Sequence, residues 1–328
     1  MAQLCQLHHR DKASMNIVLL LQNLDNLTAI NLVQGFKQTG CNIEVIPYYQ
    51  DNKEQVAVVS QNQQSLLKYQ STLHNPKDYD AAVLWCWGTA ALGRKYLKIF
   101  EDQGVWVLNS TNNTAITDSK TQFAKVLIKN NIATPKTCFF DTQKSEPSYS
   151  DVVKHLGSPP YVLKHDYGTQ GKGVQFFHSQ QEFDGCLNTF LDASEKGGKF
   201  IVQEFIGNPN KPIYHYRVIV IGNQIFPIGR KTTAKTPMSI SNFAAGSTTE
   251  FFHIGNDSLM HTALEAAKVS GLNVAGVDLM EYEHRGQQHV VVLEVNDGPG
   301  TKTFDQHGYH VSQIIADYVI NELSLISR

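Results

Sequence analysis

The sequence of 328 residues has no apolar run approaching the length of a membrane-spanning helix. Its first apolar stretch, residues 17–21, is too short for the core of a secretory signal, and residues 1–14 read as a polar extension. Neither charge is in excess: 28 Lys and Arg stand against 30 Asp and Glu, a formal net charge of -2. A general nucleic-acid binder needs a basic face, so that class is not expected. Cysteine is scarce. Cys5, Cys41, Cys86, Cys138 and Cys186 are scattered, odd in number and free of C-x-x-C spacing. That pattern argues against a disulfide framework or a zinc site and for a reducing cytoplasm. An internal repeat, a P-loop ending in G-K-[ST] and a Ser-His-Asp or Cys-His signature are also missing.

What is present is most informative near the end of the chain. Gly276-Val277-Asp278-Leu279-Met280 and Val291-Val292-Leu293-Glu294-Val295-Asn296 flank a turn at residues 283–288. Paired as an antiparallel hairpin centred on Gly286, they bring Asp278 opposite Glu294. Side chains alternate along a strand, so Asn296 shares the face of Glu294 and Val295 points away. Directly opposed Cβ atoms lie roughly 5 Å apart. At an effective dielectric of about 20, two carboxylates at that distance repel by roughly 3 kcal/mol. A divalent cation turns the repulsion into binding, and two carboxylates with an amide suit magnesium. The plainer reading is a solvated hairpin face. Apolar neighbours on both strands, and the abrupt stop at Asp297-Gly298-Pro299-Gly300, weigh against it.

The first third of the chain alternates strand and helix: strands at 16–21, 43–48, 81–87 and 105–109, and a helix at 27–38 ended by Gly40. Such alternation implies βαβ units and a parallel sheet. The Gln-rich stretch 52–73 reads as a surface helix with a loop. From Tyr161 the pattern becomes short strands with tight turns, at 161–164, 174–177, 200–205, 217–221 and 224–228, with Gly222-Asn223 as a hairpin turn. A helix is expected at 261–270, and residues 311–323 form a final amphipathic helix. The fold class is therefore an α/β front end with a parallel sheet, followed by an α+β body with antiparallel sheets.

Three segments suggest a phosphate site. Lys164 precedes a loop containing Gly168, Thr169, Gln170, Gly171, Lys172 and Gly173, and three glycines in six positions let backbone N–H groups curl around an anion. A flexible hairpin loop is the rival reading. In a helix over 114–130, Lys120 falls on the apolar stripe of Ile116, Phe123 and Leu127, where it must snorkel, pair with an acid or reach into a cleft. Residues 201–206, including Gln203, Glu204, Phe205 and Ile206, form an extended segment whose edge backbone and apolar wall suit an adenine ring. Alone it passes for an ordinary strand.

Taken in order, these segments resemble the ATP-grasp superfamily, in particular the branch of RimK-type glutamate ligases and bacterial glutathione synthetases. The resemblance runs over residues 15–325 and is strongest over 109–325. It is carried by Asn109 through Lys120 to Pro135, Lys164 before Gly168-Thr169-Gln170-Gly171-Lys172-Gly173, and Gln203-Glu204-Phe205-Ile206. Arg217, Ser241-Asn242, Val277-Asp278-Leu279 and Glu294-Val295-Asn296-Asp297-Gly298-Pro299-Gly300 complete it. It implies an extension at 1–14, a preceding α/β domain at 15–112, a central ATP-grasp subdomain at 113–206 with the glycine-rich lid, and a C-terminal subdomain at 207–328.

The resemblance also implies ATP as cofactor, with Lys120 and Lys164 on its phosphates, and Glu204 and Ile206 on adenine beside Gln203 and Phe205. Two magnesium ions, with manganese as a substitute, would sit on Asp278, Glu294 and Asn296. Arg217, Arg230 or Lys231, and Asn242 would serve the transferred phosphate. A surface charge patch is the rival reading, disfavoured for Arg217 and evenly balanced for Arg230 and Lys231. Three departures stand out. Ser119 replaces the Asp that usually precedes the helix lysine, and His215 replaces an acid two residues before Arg217. The arginines usual around the Ser241-Asn242 loop are absent, which argues against an acidic substrate there.

The implied activity is ATP- and magnesium-dependent joining of a carboxylate to an amine through an acylphosphate. The substrate is a small molecule or peptide, without nucleic acid or membrane, and family likeness alone implies a homodimer. The alternatives are a small-molecule kinase on the same scaffold and a catalytically silent ATP-binding protein. Specificity would lie in residues 231–250 and in Trp85-Cys86-Trp87-Gly88, where packed core is the competing role.

Overall fold

The computed structural model describes residues 12–61, 63–86, 90–168, 173–193, 198–207, 214–232, 248–252, 256–284 and 286–326. They fall into two compact units, one within residues 1–111 and 300–328, the other spanning 112–299.

The first unit opens with β1 (Asn16–Leu21), α1 (Leu27–Gln38) and β2 (Asn42–Pro47). The β1 side chains from Ile17 to Leu21 are all buried, as expected of a strand covered on both faces. The Asn26 side chain accepts from the Ala29 N–H and starts α1. Five small strands come next: β3 (Tyr49–Gln50), β4 (Lys53–Glu54), β5 (Val56–Gln61), β6 (Gln64–Tyr69) and β7 (Thr72–His74). β5, β6 and β7 form an antiparallel sheet, so the helix expected at 52–73 is corrected. The physical reason is local. Val56, Val58 and Val59 favour strand over helix, and Gln63 and Gln70 take positive φ in the tight turns. With β8 (Ala81–Trp85), α2 (Ala90–Glu101) and β9 (Trp106–Leu108), the main sheet has the order β2-β1-β8-β9, all parallel. Trp85 is buried in this sheet, in keeping with packed core, whereas Trp87 and Gly88 lie outside the described residues.

The second unit takes over around α3 (Thr111–Asp118) and α4 (Lys120–Lys129). A single helix over 114–130 is not what forms. Ser119 breaks it and caps α4, its side chain accepting from the Gln122 N–H. Next come β10 (Thr137–Asp141), α5 (Tyr149–Leu156), β11 (Tyr161–His165), β12 (Val174–Phe177), α6 (Gln180–Ala193) and β13 (Lys199–Glu204). Their antiparallel sheet has the order β10-β13-β11-β12. Tyr161, Leu163, Phe177, Phe200 and Val202 pack with α5 and α6 on one face, which leaves Val162, Lys164, Ile201 and Gln203 on the other.

A second antiparallel sheet contains β14 (Tyr214–Ile221), β15 (Gln224–Thr232), β16 (Thr248–Phe252), β17 (Val274–His284) and β18 (Gln287–Asn296), with α7 (Asp257–Ser270) between β16 and β17 in sequence. Its order is β16-β15-β14-β17-β18. One face carries Tyr216, Val218, Val277, Leu279, Val290 and Val292 against α7 and against Phe123 and Leu127 of α4. The chain then rejoins the first unit with α8 (Lys302–Gln306) and α9 (Val311–Ile326). A parallel front end followed by antiparallel sheets is thus the observed architecture. Among the described residues, no helix is long and apolar enough to cross a membrane.

Candidate active site

The expected acid pair forms, but not in an uninterrupted hairpin centred on Gly286: it is reached through a bulge. β17 ends at His284 and β18 starts at Gln287, a two-residue turn that pairs Leu279 with Val292. Continued without interruption, that register would put Leu293 opposite Asp278. Instead one extra residue enters β18, and Asp278 pairs with Glu294. Burial records the phase change: Val290, Val292 and Val295 face the core, while Leu293 packs on the other face beside Met280 and Val291. β18 is an edge strand, and the preceding chain covers it at this point. The Val292 N–H donates to the Ala133 carbonyl (2.8 Å) and the Thr134 hydroxyl to the Val292 carbonyl (3.0 Å). Gly276, one pair further along the face, is approached so closely by Pro299 that a Cβ would stand 2.6 Å from it.

A second bulge selects the basic residues of the same face. Ile221 pairs with Gln224 and Val220 with Ile225, but Val218 pairs with Ile228, so β15 holds an extra residue around Phe226-Pro227. Beyond it, Arg217 lies opposite Gly229, His215 opposite Lys231 and Tyr216 opposite Arg230. Lys231 therefore shares the face of Arg217 and Asp278. Arg230 is on the other face, over the Tyr214 ring and ion-paired with Glu250. The expectation that either could face the transferred phosphate is narrowed to Lys231, because the sheet stands between Arg230 and the acids.

Arg217 grips Asp278 through both arms of its guanidinium, at 2.7 and 2.5 Å. Burial pushes the Asp278 carboxyl up to about 6 against the pull of Arg217, with Glu294 adding to the rise. Burial also acts to raise Glu294, but Lys120, Arg217 and Lys164 outweigh it and hold that carboxyl below its ordinary value. Asn296 donates its amide to Asp278 Oδ2 (3.2 Å) and Glu294 Oε1 (3.4 Å), so its N–H end faces the acids.

Two lysines reach this face. Lys120 Nζ lies 4.0 Å from Glu294 Oε2 and donates to the Gly168 carbonyl at 2.8 Å. Of the three fates open to it in the sequence, pairing with an acid is the one observed. Lys164 is brought down to about 8 by burial, with Lys120 adding to the fall and Glu294 opposing it. Burial, assisted by Arg217, likewise lowers Lys231 to about 8. His215 falls to about 4 through burial and the charges of Lys164 and Lys231, so it is neutral near pH 7. Four basic side chains thus stand against two acids, a balance that suits a polyanion.

The segment expected to meet adenine departs from the sequence reading in one respect. β13 is an interior strand, paired on both sides as far as Gln203, and not an edge. Its end is nevertheless unusual. The Glu204 N–H donates to the Lys136 carbonyl, yet the Lys136 N–H goes to Glu204 Oε1 (2.8 Å), so a side chain stands in for the Glu204 carbonyl. Gln203, 3% exposed, donates to Thr137 Oγ1 (3.0 Å), while its own amide oxygen is buried without a partner. An orphaned buried acceptor beside a strand end fits an exocyclic amine. Ile206, Met280 and Val291, flanked by Phe205, Tyr282 and Leu293, form an apolar floor.

Gly168 and Gly173 are described, the latter at φ +78 with the His165 ring where a Cβ would be. Thr169, Gln170, Gly171, Lys172, Ser241 and Asn242 lie outside the described residues. Sequence reasoning missed Asp166, whose buried carboxylate binds the start of α4, and Thr137, which orients Gln203. Its only signal for Asp166 was an acid between Lys164 and the glycines.

No group of three His, Cys, Asp or Glu side chains among the described residues is placed to hold a metal. Two carboxylates and an amide fit magnesium only when substrate phosphates complete the shell.

Comparison with known proteins places the chain in a family. Residues 117–319 match the model of the RimK-like ATP-grasp domain. A probable alpha-L-glutamate ligase of Methanococcoides burtonii is 31% identical over 69% of this chain and 71% of its own. Another from Vibrio parahaemolyticus is 26% identical over 93% and 95%. Among solved structures, the D-alanine–D-alanine ligase of Bacillus anthracis with ATP shares the fold at a TM-score of 0.66 and 18% identity, covering 95% of this chain and 98% of that one. The chain belongs to the RimK-like ATP-grasp family and is an ATP-dependent ligase that joins a carboxylate to an amine.

Proposed function

We propose that the face bearing Asp278, Glu294, Asn296, Arg217 and Lys231 is where a substrate carboxylate is activated and passed to an amine. A carboxylate oxygen attacks the γ-phosphorus of ATP, and the bond to the bridging oxygen breaks to release ADP. The amine nitrogen then attacks the acyl carbon of the acylphosphate, inorganic phosphate leaves, and the nitrogen gives up a proton. The protein's part is positioning and charge dispersal, so no protein nucleophile is required.

Lys120 and Lys164 hold the nucleotide phosphates, and the Glu204 carbonyl and Gln203 Oε1 accept from adenine above the floor of Ile206, Met280 and Val291. Asp278, Glu294 and Asn296 hold magnesium, two ions in our reading, with the Asn296 amide turned to offer its oxygen. Bound there, magnesium supplies neutralisation of the developing phosphoryl charge. Arg217 fixes Asp278 and presents its remaining charge to the transferred phosphoryl. Lys231 faces the same group.

The observation that carries the reading is the opposed Asp278–Glu294 pair with Lys120 4.0 Å from Glu294. The substrate is a small molecule or peptide. The arginine-poor sequence at 231–250 supports a carboxylate partner without a second acidic group at that loop.

The test is phosphate release from ATP with magnesium against pooled amino acids and short peptides, with products read by mass. An amide formed with one phosphate released per bond is expected. Tight ATP binding with no turnover on any pool would overturn it, and a phosphoester with no free phosphate would make the protein a kinase.

A further inference from the structure

Lys120 owes its place to a residue distant in sequence. Ser119 and Asp166 are both buried, at 0% and 3% exposure. Asp166 directly follows β11, the strand that carries Lys164. Its main-chain carbonyl accepts from the Lys120 N–H (3.0 Å), and its Oδ1 accepts from the Thr121 N–H (2.7 Å). The Ser119 hydroxyl lies 3.0 Å from both carboxylate oxygens and accepts from the Gln122 N–H. The first three N–H groups of α4, which have no partner within the helix, are thereby all satisfied. Two residues further on, Gly168 offers its carbonyl to Lys120 Nζ.

We propose that Asp166 is the positioning residue for Lys120, a buried carboxylate that locks the start of α4 onto the end of β11 so that Lys120 and Lys164 form one fixed phosphate-facing pair. The inference rests on the proposal that Lys120 meets the nucleotide phosphates. A cap alone does not account for the arrangement. Ser119 is a good N-cap residue by itself, and a buried carboxylate is costlier than a hydroxyl unless it makes contacts the hydroxyl cannot. What Asp166 adds is the connection across 45 to 47 residues of chain, from one lysine's helix to the other lysine's strand. Because the side-chain and main-chain acceptors belong to one residue, α4 cannot rotate about its axis without losing both.

The test is calorimetric titration of the full chain with magnesium and a non-hydrolysable ATP analogue, and separately with adenosine. The proteins are wild type, K120A, D166A, the double variant and S119D/D166A. Charge-assisted hydrogen bonds are worth enough that D166A and K120A should each weaken analogue binding about tenfold. Adenosine binding should stay within about twofold in both, because the effect passes through the phosphates. The double variant should bind no more weakly than K120A alone, the signature of a residue acting through another. S119D restores a capping carboxylate without the link to β11, so it should not rescue D166A.

Multiplying losses in the double variant, rescue by S119D, or a parallel fall in adenosine affinity would each overturn the inference. Normal analogue binding by D166A beside weakened K120A overturns it alone. Normal binding by K120A overturns it together with the phosphate role of Lys120. If D166A does not fold, D166L keeps much of the volume without an acceptor and carries the same comparison.

Discussion

Asp278 and Glu294 oppose each other because β18 holds one residue more than its partner between Val292 and Glu294. The two-residue turn alone would have matched Asp278 with Leu293, an aliphatic side chain that can bind no cation. The extra residue re-aims one carboxylate and at the same time turns Leu293 to the apolar floor.

Glu294→Gln keeps the shape of this pair and removes one of its charges. It should lower the rate of phosphate release by about a hundredfold, as removal of a charge-stabilising group does. The magnesium concentration giving half-maximal rate should rise as well, because one of two carboxylates is gone. Circular dichroism should be unchanged. A wild-type rate at wild-type magnesium would refute the role of Glu294.

Arg217 and Asp278 should behave as a unit in stability measurements. Arg217→Met leaves a buried carboxylate without its partner, and the cost expected for such a loss is about 3 kcal/mol in urea unfolding. Adding Asp278→Asn removes the orphaned charge and should recover part of that cost. A double variant as unstable as the sum of the singles would show that the pair is not coupled.

Gln203→Leu tests the orphaned amide oxygen. The lost bond to Thr137 should cost about 1 kcal/mol of stability. Affinity for adenosine should fall by about fivefold, or about 1 kcal/mol, if the oxygen accepts from the base. Unchanged adenosine affinity with lowered stability would confine Gln203 to a structural role.

His215 should shape the acid limb of the stability curve. Its folded value near 4 lies below the ordinary 6.5, so the unfolded chain binds the proton first as pH falls. The contribution is fully present above pH 6.5 and is lost between 6.5 and 4. Each pH unit between the two values corresponds to about 1.4 kcal/mol, so the loss amounts to about 3 kcal/mol. His215→Gln should flatten this limb in denaturant titrations at pH 7, 5.5 and 4. An unaltered slope would mean that the imidazole takes up its proton at the same pH in the folded and the unfolded protein.

Much of this architecture was legible in the linear chain, for local reasons. Runs such as Asn16–Leu21 and Tyr161–His165 announce themselves through apolar character and alternation. Glu294 faces Asp278 as expected, though in a register that the turn alone does not give, and Lys120 takes one of the three fates its place on the apolar stripe allowed, pairing with an acid. Where propensity misled, a neighbouring preference won. Val56, Val58 and Val59 made strands of the Gln-rich stretch, and Ser119 cut one helix into two.

Alternation fixes which residues share a face only while the pairing register holds, and this site is assembled where it slips. The bulge at Leu293 lies where Ala133 and Thr134 cover the edge, and the one near Pro227 decides that Lys231 and not Arg230 joins Arg217. Asp166 and Ser119 likewise meet only after two remote segments pack. Residue types and their order are thus written in the chain, because chemistry and periodicity are local. Side selection and charge placement are not, because they arise from hydrogen bonds between segments that sequence spacing does not connect.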